Sequence, residues 1–255
     1  MHLILTGATG LVGSSILQTM LTHPSITKLS ILSRSPVPLA ENHANHEKAH
    51  VIIHNDFKDY PESVLEQLRG AEGCVWALGT SSTGVNREKY TEITQTYTLF
   101  AARAFSPLNS PKPFKFLYIS GEGATTSPGM LTPMFGIVKG RVESDLLALP
   151  SKEKSCDNLR VYNVRPGAVD ASAHEEIKAF IPQRTGMLRL LEIGLFPFIR
   201  TLSKNMWTPT REMGKVVTEL MLGDGERLEE TGVVEGSSAC GRTLSNIGLR
   251  RLGGW

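Results

Sequence analysis

The sequence predicts an α/β protein built on a doubly wound parallel sheet with helices on both faces. Short apolar runs alternate with helical patterns along most of the chain, which is typical of parallel strands joined by helical crossovers. A glycine-rich turn directly follows the first apolar run. Six runs predict strands, at 3–5, 29–32, 51–53, 74–78, 116–120 and 159–165.

Apolar residues at helical spacing predict the helices. In the first helix Val12, Ile16 and Leu17 share one face, and Pro24 follows where the pattern stops. The last predicted helix begins with Thr210 as its N-cap. The helices are predicted at 11–21, 62–68, 87–105, 135–149 and 210–222.

Composition narrows the functional classes. The chain has 255 residues, with 27 Lys+Arg against 25 Asp+Glu and a formal net charge of +2. Nucleic-acid binding requires clustered cations that neutralise phosphates, so this balance argues against it. Cys74, Cys156 and Cys240 are too few and too dispersed for a disulfide framework or a CxxC metal site. They favour a reducing compartment.

No repeat or low-complexity linker divides the chain, so we expect a single domain over 1–255, with 168–255 on the substrate side. The apolar stretch 187–199 is interrupted by Arg189, Glu192 and Pro197, so no transmembrane segment is predicted. The first residues lack the basic region of a signal peptide. We expect a cytoplasmic monomer or homodimer, with a peripheral location at the mitochondrial surface as the alternative.

The stretch between the first strand and the first helix has the features of a dinucleotide-binding loop. Gly7 permits a tight turn, Gly10 lets the backbone approach a pyrophosphate, and Gly13 lets the helix pack closely on the sheet. The helix N–H groups then face the anion. The spacing is GxxGxxG rather than GxGxxG. The predicted cofactor contacts here are Thr6, Gly7, Thr9, Gly10, Leu11, Val12 and Gly13.

The cofactor preference depends on the end of the second strand. Arg34 lies about 20 positions after the last glycine, where an acid selects NAD and an arginine accommodates the 2′-phosphate of NADP. No acid occurs between Arg34 and Glu41, so NADP is favoured over NAD. The alternative is that Arg34 is a solvated loop charge. Asp56 and Phe57 are candidates for the adenine side, although Asp is also a common turn former.

Two further strand ends supply candidate ligand contacts. The backbone turn and small side chains after the fourth strand suit a ribose or a phosphate. The loop after the sixth strand would border the nicotinamide and the substrate. These loops are Leu78-Gly79-Thr80 and Arg165-Pro166-Gly167.

These motifs, in this order, resemble the short-chain dehydrogenase/reductase family. The resemblance rests on the glycine loop, the strand end Tyr118-Ile119-Ser120-Gly121, the helix carrying Lys139 and the turn Val164-Arg165-Pro166-Gly167. It covers roughly residues 1–170. The chain is most similar to the atypical branch of small NAD(P)-binding Rossmann proteins, which includes the Tat-interacting oxidoreductase-like protein and its fungal relatives.

The resemblance implies a catalytic Ser, Tyr and Lys, with one position changed. In the family the Tyr moves a proton, the Lys lowers the phenol pKa and holds the ribose, and the Ser orients the substrate oxygen. Ser120 and Lys139 match, whereas Phe135 occupies the Tyr position of the YxxxK motif. Phe has no ionisable proton and is not a general acid or base. Cofactor binding is expected to survive, with a water on Lys139 as a substitute proton relay.

The leading hypothesis is an NADP(H)-binding oxidoreductase of the atypical short-chain type that acts on a small apolar carbonyl or alcohol. Phe135 favours the alternatives: a catalytically impaired NADP-binding regulator or interaction protein, or a repurposed non-redox enzyme. No nucleic-acid partner is expected.

Other groupings point to structure rather than to a site. The histidines at 43, 46, 50 and 54 fall in a polar loop and at a strand end, so no metal site is predicted. His174 with Glu175 and Glu176 is interpreted as a solvated helix start, with a replacement acid or base as the alternative. The apolar stretch 186–202 is interpreted as core or a substrate lid, with an oligomer surface or a membrane-edge helix as alternatives.

Overall fold

The computed structural model describes residues 1–182, 206–228 and 241–255. Its strands are β1 (His2–Thr6), β2 (Lys28–Ser33), β3 (Ala49–Ile53), β4 (Gly73–Trp76), β5 (Phe114–Ile119), β6 (Leu159–Val164), β7 (Ala168–Asp170), β8 (Trp207–Pro209) and β9 (Thr243–Leu244). One parallel sheet has the order β3-β2-β1-β4-β5-β6-β9, and β7 pairs with β8 separately. The predicted doubly wound parallel α/β fold is confirmed.

Helices cover both faces of the larger sheet. They are α1 (Leu11–Thr22), α2 (Pro38–Glu41), α3 (Glu62–Leu68), α4 (Arg87–Thr91), α5 (Tyr97–Phe105), α6 (Met134–Lys152), α7 (Glu175–Lys178), α8 (Thr210–Leu222) and α9 (Asn246–Gly253). A π-helical turn, Glu92–Thr96, joins α4 to α5. Pro61 immediately precedes α3 in extended conformation.

Two hydrophobic layers enclose the sheet, because each strand is buried on both faces. In β1 the side chains of Leu3 and Leu5 enter one layer, which contains the apolar faces of α1, α8 and α9. Ile4 points to the opposite layer, which contains those of α3, α5 and α6. This alternation fixes which helix each strand residue faces.

The strand order reverses at β1, which pairs with β2 on one side and with β4 on the other. The connections after β1 and β4 therefore leave the sheet on opposite faces and open a crevice at its carboxyl edge. Ligands of open α/β sheets bind at such a switch point. The strand order alone therefore predicts a ligand site at this edge of the sheet.

The structure differs from the prediction where tertiary contacts decide the local conformation. The helix expected over 87–105 contains the π turn, and the six predicted strands are joined in the sheet by β9. β9 has only two residues, which pair with Asn163 and Val164 of β6, so it is too short to produce a periodic pattern. The polar segment between the second and third predicted strands contains α2, whose Leu39 and Ala40 are buried.

Thr210 does not cap α8, contrary to the prediction. Pro209 precedes the helix in extended conformation, and Thr210 is its first residue. The Thr210 hydroxyl is hydrogen-bonded to His174 Nδ1 at 2.9 Å. His174 is only 3% exposed and packs against α8, whereas Glu175 and Glu176 are exposed in the first turn of α7, as predicted for a solvated helix start.

The structure also bears on the membrane, metal and cysteine predictions. Within the described ranges, no helix is both long and apolar enough to cross a bilayer, and no group of three or more potential ligand side chains could hold a metal ion. Cys74 and Cys156 are buried, free thiols. The apolar stretch 186–202 and Cys240 lie outside the described residues.

Candidate functional site

A cleft of about 1020 Å³ opens at the carboxyl edge of the sheet, at the switch point. It is lined by the N-terminus of α1, the ends of β4, β5 and β6, and one face of α6. The main lining segments are 10–13, 77–81, 118–123 and 166–169, with Phe135 and Lys139 from α6. A smaller cavity of about 210 Å³ shares Gly10, Ala77, Leu78 and Gly79 with it and extends to Arg34.

The glycine turn is shaped by close backbone contacts. Gly7 has a φ of +70°, and a Cβ there would lie 2.3 Å from the carbonyl oxygen of Ala77. A Cβ on Gly13 would lie 2.0 Å from the carbonyl oxygen of Gly7. Gly13 therefore lets α1 pack on the turn, which corrects the expectation that it packs on the sheet.

Gly10 has a different role, because its missing side chain leaves space for a ligand. A Cβ on Gly10 would have only the Gly7 carbonyl oxygen near it, at 3.4 Å, and Gly10 lines both cavities. The first turn of α1 carries no acid, and no side chain caps it. Unpaired N–H groups and the positive end of the helix dipole therefore face the cleft, which suits a phosphate.

Some of the remaining predicted cofactor residues line the two cavities, whereas Thr6 lies in the protein interior and lines neither. Thr9 lines the smaller cavity, and Thr80 lines the cleft. Thr6 is fully buried, and its hydroxyl accepts a hydrogen bond from the Leu78 N–H at 3.2 Å. Thr6 therefore ties the turn after β4 to β1 instead of reaching a ligand.

Arg34 and Phe57 line the smaller cavity, whereas Asp56 does not. Arg34 is exposed beside Ser33 and Ser35. Phe57 is buried, with its ring edge-on to Trp76, so only part of it borders the cavity. Asp56 is exposed and accepts a hydrogen bond from the Lys58 N–H at 3.0 Å, which is a turn contact.

Ser120, Phe135 and Lys139 meet in the cleft, as the sequence predicts. Lys139 Nζ donates a hydrogen bond to the Ser120 carbonyl oxygen, which fixes α6 against the end of β5. Burial lowers the pKa of Lys139 to about 8, and the nearby Glu143 carboxylate opposes this shift. A Cβ on Gly121 would lie 3.5 Å from Lys139 Nζ, so the glycine leaves room beside the ammonium group.

Arg165 supports the cleft from behind. Its guanidinium forms a bidentate pair with Glu143, with Nε to Oε1 at 2.9 Å and Nη2 to Oε2 at 2.5 Å. Glu143 is 2% exposed, and its hydrogen bonds raise the pKa of Arg165. Because Glu143 follows Lys139 by one helical turn, the pair joins β6 to α6 below the cleft. Arg165 itself is not among the lining residues.

The substrate side is held by contacts between loops. Gly167 N–H donates to Thr208 Oγ1 at 2.8 Å, and Glu122 N–H donates to the Pro166 carbonyl at 2.8 Å. The Glu122 carboxylate accepts a hydrogen bond from the Asn246 N–H at 3.1 Å, at the start of α9. Pro166 and Gly167 therefore line the cleft on a braced loop.

The lining residues that the sequence did not identify as functional candidates include Thr94, Tyr118, Glu122 and Met206. Thr94 lies on the π turn, and such turns are frequent at functional sites. Tyr118 and Glu122 lie two positions before and after Ser120. The alternation of strand residues places Tyr118 on the same face as Ser120, which is the one signal that could have identified it.

Two curated fungal proteins are similar to the chain, whereas no family model matches it. Leucinostatins biosynthesis cluster protein T of Purpureocillium lilacinum is 33% identical over 266 residues, covering 98% of this chain and 94% of that protein. Botcinic acid biosynthesis cluster B protein 16 of Botryotinia fuckeliana is 41% identical over 160 residues, covering 61% of this chain and 98% of that protein.

Solved structures share the fold at low identity. The reductase domain of PhqB from Penicillium fellutanum has a TM-score of 0.63 and 17% identity, with 87% of this chain and 64% of that chain covered. A short-chain dehydrogenase/reductase from Saccharomyces cerevisiae has a TM-score of 0.61 and 16% identity, with 87% and 90% covered. The fold and the cleft define a Rossmann-type α/β protein. The chain belongs to the same family as leucinostatins biosynthesis cluster protein T and shares its fold with short-chain dehydrogenases/reductases.

We expect alanine at Gly13 and at Gly10 to separate folding from binding. Gly13→Ala should lower the free energy of unfolding by about 1–3 kcal/mol, because the methyl group meets the Gly7 carbonyl. Gly10→Ala should change it by less than about 0.5 kcal/mol but weaken NADPH binding, because its methyl group enters both cavities. Urea unfolding and NADPH fluorescence titration measure the two effects. NADPH binding of Gly10→Ala at the wild-type level would contradict a phosphate site at this turn.

Proposed function

We propose that the protein is an NADP(H)-dependent oxidoreductase that acts on a small apolar carbonyl or alcohol. The proposal is carried by one observation: the α1 N-terminus, Ser120 and Lys139 line one cleft at the switch point of the sheet. The fold shared with short-chain dehydrogenases/reductases supports it, and the two fungal relatives are named as biosynthesis cluster proteins, which suggests a step in a biosynthetic pathway.

A bound nicotinamide cofactor would supply the hydride. We assign its pyrophosphate to the N–H groups around Gly10, its 2′-phosphate to Arg34 and its nicotinamide ribose to Lys139. The loops after β4 and β6, with Gly79 and Gly167, then border the ribose and the substrate. Asp56 has no place in this assignment, because its carboxylate belongs to a turn.

The proton requires a source other than residue 135. Phe135 contributes an apolar ring to the lining of the cleft, and it has no proton to give. Lys139 Nζ has three protons and a lowered pKa, so it can move one through a water towards an oxygen held beside Ser120. This relay needs a water molecule between donor and substrate, which a tyrosine hydroxyl at position 135 would not need.

Phe135 also favours a second candidate function, a cofactor-binding regulator with impaired catalysis. Such a protein would bind NADPH without turning over carbonyl compounds. The two candidates share the cofactor site and differ only in proton transfer, so NADPH oxidation in the presence of a carbonyl panel distinguishes them.

We expect the Arg34 guanidinium to set the preference for NADPH. Arg34→Ala should weaken NADPH binding roughly 10- to 100-fold, the equivalent of losing one charge-assisted hydrogen bond, and should leave NADH binding unchanged. Arg141→Ala, which removes an exposed charge from α6 that lines neither cavity, is the matched control. Fluorescence titration with both cofactors measures the effect. Equal affinity of the wild type for NADPH and NADH would contradict the assignment.

We expect Phe135→Tyr to raise carbonyl reduction by about 100-fold or more, because a positioned general acid contributes roughly 10²- to 10⁴-fold. The measurement is NADPH oxidation with benzaldehyde and phenanthrenequinone. Phe100→Tyr, at an exposed position of α5, adds a phenol elsewhere and should have no effect. A fall in activity for Phe135→Tyr would instead mean that the phenyl ring takes part in different chemistry.

Lys139 should also give the protein a characteristic pH dependence. Its pKa is about 8 in the folded chain against an ordinary 10.5, so the unfolded chain binds the extra proton between these values. The free energy of unfolding should therefore rise with pH across this window, while carbonyl reduction falls as the donor proton is lost above pH 8. Urea unfolding and rate profiles check both. The same slopes in Lys139→Met would assign them to another group.

A further inference from the structure

The lining of the cleft contains a single carboxylate in the part of the chain that the structure describes. It belongs to Glu122, on the loop after β5, and the only other charged lining residue there is Lys139. The Lys139 ammonium group is already hydrogen-bonded to the Ser120 carbonyl oxygen. The cleft therefore offers one negative group to a ligand, and this group lies on the loop that is bonded to Pro166.

The loop that carries Glu122 is packed tightly on α6. A Cβ on Gly136 would lie 2.4 Å from the Gly123 carbonyl oxygen, and one on Gly140 would lie 1.9 Å from that of Thr125. The Thr125 N–H also donates a hydrogen bond to the Gly136 carbonyl oxygen at 3.1 Å. Because the two helix glycines are four residues apart and share one face of α6, the loop backbone rests directly on the helix. Glu122 is therefore held at a defined place in the cleft.

The Glu122 carboxylate is fixed by one hydrogen bond and can accept more. Its Oε2 accepts from the Asn246 N–H at 3.1 Å, whereas no described residue donates to Oε1. Hydrogen bonds to Glu143 raise the pKa of Arg165, and the charge of Glu122 adds to this shift, but the guanidinium itself is bound to both oxygens of Glu143. Each carboxylate oxygen can accept two hydrogen bonds, so Glu122 has capacity for a donor from a ligand.

Support of α9 explains the position of Glu122 but not its charge. The helix is already capped by Ser245, whose Oγ accepts a hydrogen bond from the Gly248 N–H at 3.3 Å. A glutamine at position 122 would accept the same bond from the Asn246 N–H. An exposed carboxylate near a helix N-terminus adds only a modest stabilisation through the helix dipole. The negative charge in the cleft is thus available for another role.

We propose that Glu122 is a specificity-determining residue, whose carboxylate accepts a hydrogen bond from a donor group of the substrate, a hydroxyl or an ammonium group. This rests on the proposed oxidoreductase function and narrows its substrate class to a carbonyl compound that carries such a donor. An ionised carboxylate is an acceptor only, so Glu122 suits the donor and not the carbonyl oxygen.

The position of Glu122 in the chain limits how far the donor lies from the carbonyl group. The proposed function places the reacting oxygen beside Ser120 and Lys139. Glu122 follows Ser120 by two residues, which span about 7 Å of chain at most. The donor group is therefore expected within a few bonds of the carbonyl carbon.

The test titrates the protein, in excess NADP⁺, with three ketones of the same size: phenacylamine, phenacyl alcohol and propiophenone. They carry an ammonium, a hydroxyl or a methyl group at the carbon next to the carbonyl, and NADP⁺ has no hydride to transfer to them. A mildly acidic buffer keeps the amine protonated. Calorimetry should show that at least one donor ketone binds roughly 10-fold more tightly than propiophenone, as one charge-assisted hydrogen bond predicts. The ketone with the higher affinity identifies the donor.

Two variants of Glu122 separate recognition from support of α9. Glu122→Ala should abolish the preference for either donor. Glu122→Gln retains an acceptor for the Asn246 N–H, so its melting temperature should stay the same. It should lose the preference for the ammonium group, which requires the charge, and keep that for the hydroxyl group. Glu88→Gln, which removes an exposed carboxylate from α4 outside the cleft, is the matched control and should bind all three ketones like the wild type.

Equal affinity of the wild type for the three ketones would overturn the proposal, as would a preference that persists in Glu122→Ala. A lower melting temperature for Glu122→Gln, with wild-type affinity ratios, would make Glu122 a support of α9 alone. The oxidoreductase function is tested separately, because the titration requires no turnover. A preference that depends on Glu122, without NADPH oxidation by phenacyl alcohol, would keep the donor site and overturn the oxidoreductase.

Discussion

The contact of the Gly7 carbonyl with Gly13 is the constraint on which the site depends. A side chain at Gly13 would collide with this oxygen at 2.0 Å, and one at Gly7 would collide with Ala77 at 2.3 Å. These approaches bring the start of α1 next to the turn after β4, on the two sides of the switch point. The N–H groups of α1 therefore face the cleft instead of the sheet. The shape of the cleft thus depends first on Gly7 and Gly13, which have no Cβ atoms, and only then on polar side chains.

The second fixed point is α6, which presents Phe135, Lys139 and Glu143 at successive turns. The ammonium group of Lys139 is held by the Ser120 carbonyl, and Glu143 is held by Arg165 of the strand end after β6. The helix is thus tied to two neighbouring strand ends at different depths. This arrangement keeps Lys139 in place although residue 135 has no hydroxyl. The support of Lys139 therefore does not depend on the side chain at position 135.

Local sequence was sufficient for features that depend on neighbours in the chain. The strand, turn and helix around Gly10 are adjacent in sequence, and Ser120 and Lys139 follow from motif positions. β9 was missed because two residues acquire strand geometry only by pairing with β6. Gly13 was assigned the wrong neighbour, and Thr210 the wrong role, because their contacts with the Gly7 carbonyl and His174 are set by tertiary packing. Tyr118 required knowledge of how deep the cleft extends.

The proposed chemistry has a preferred direction. Oxidation of an alcohol requires a group that accepts a proton, whereas reduction requires one that gives it. Burial lowers the pKa of Lys139 to about 8. At neutral pH the lysine is therefore mostly protonated. In that state it is not a base, and Phe135 is not one either. The proposed relay thus starts from the protonated lysine, which is the state that carbonyl reduction requires.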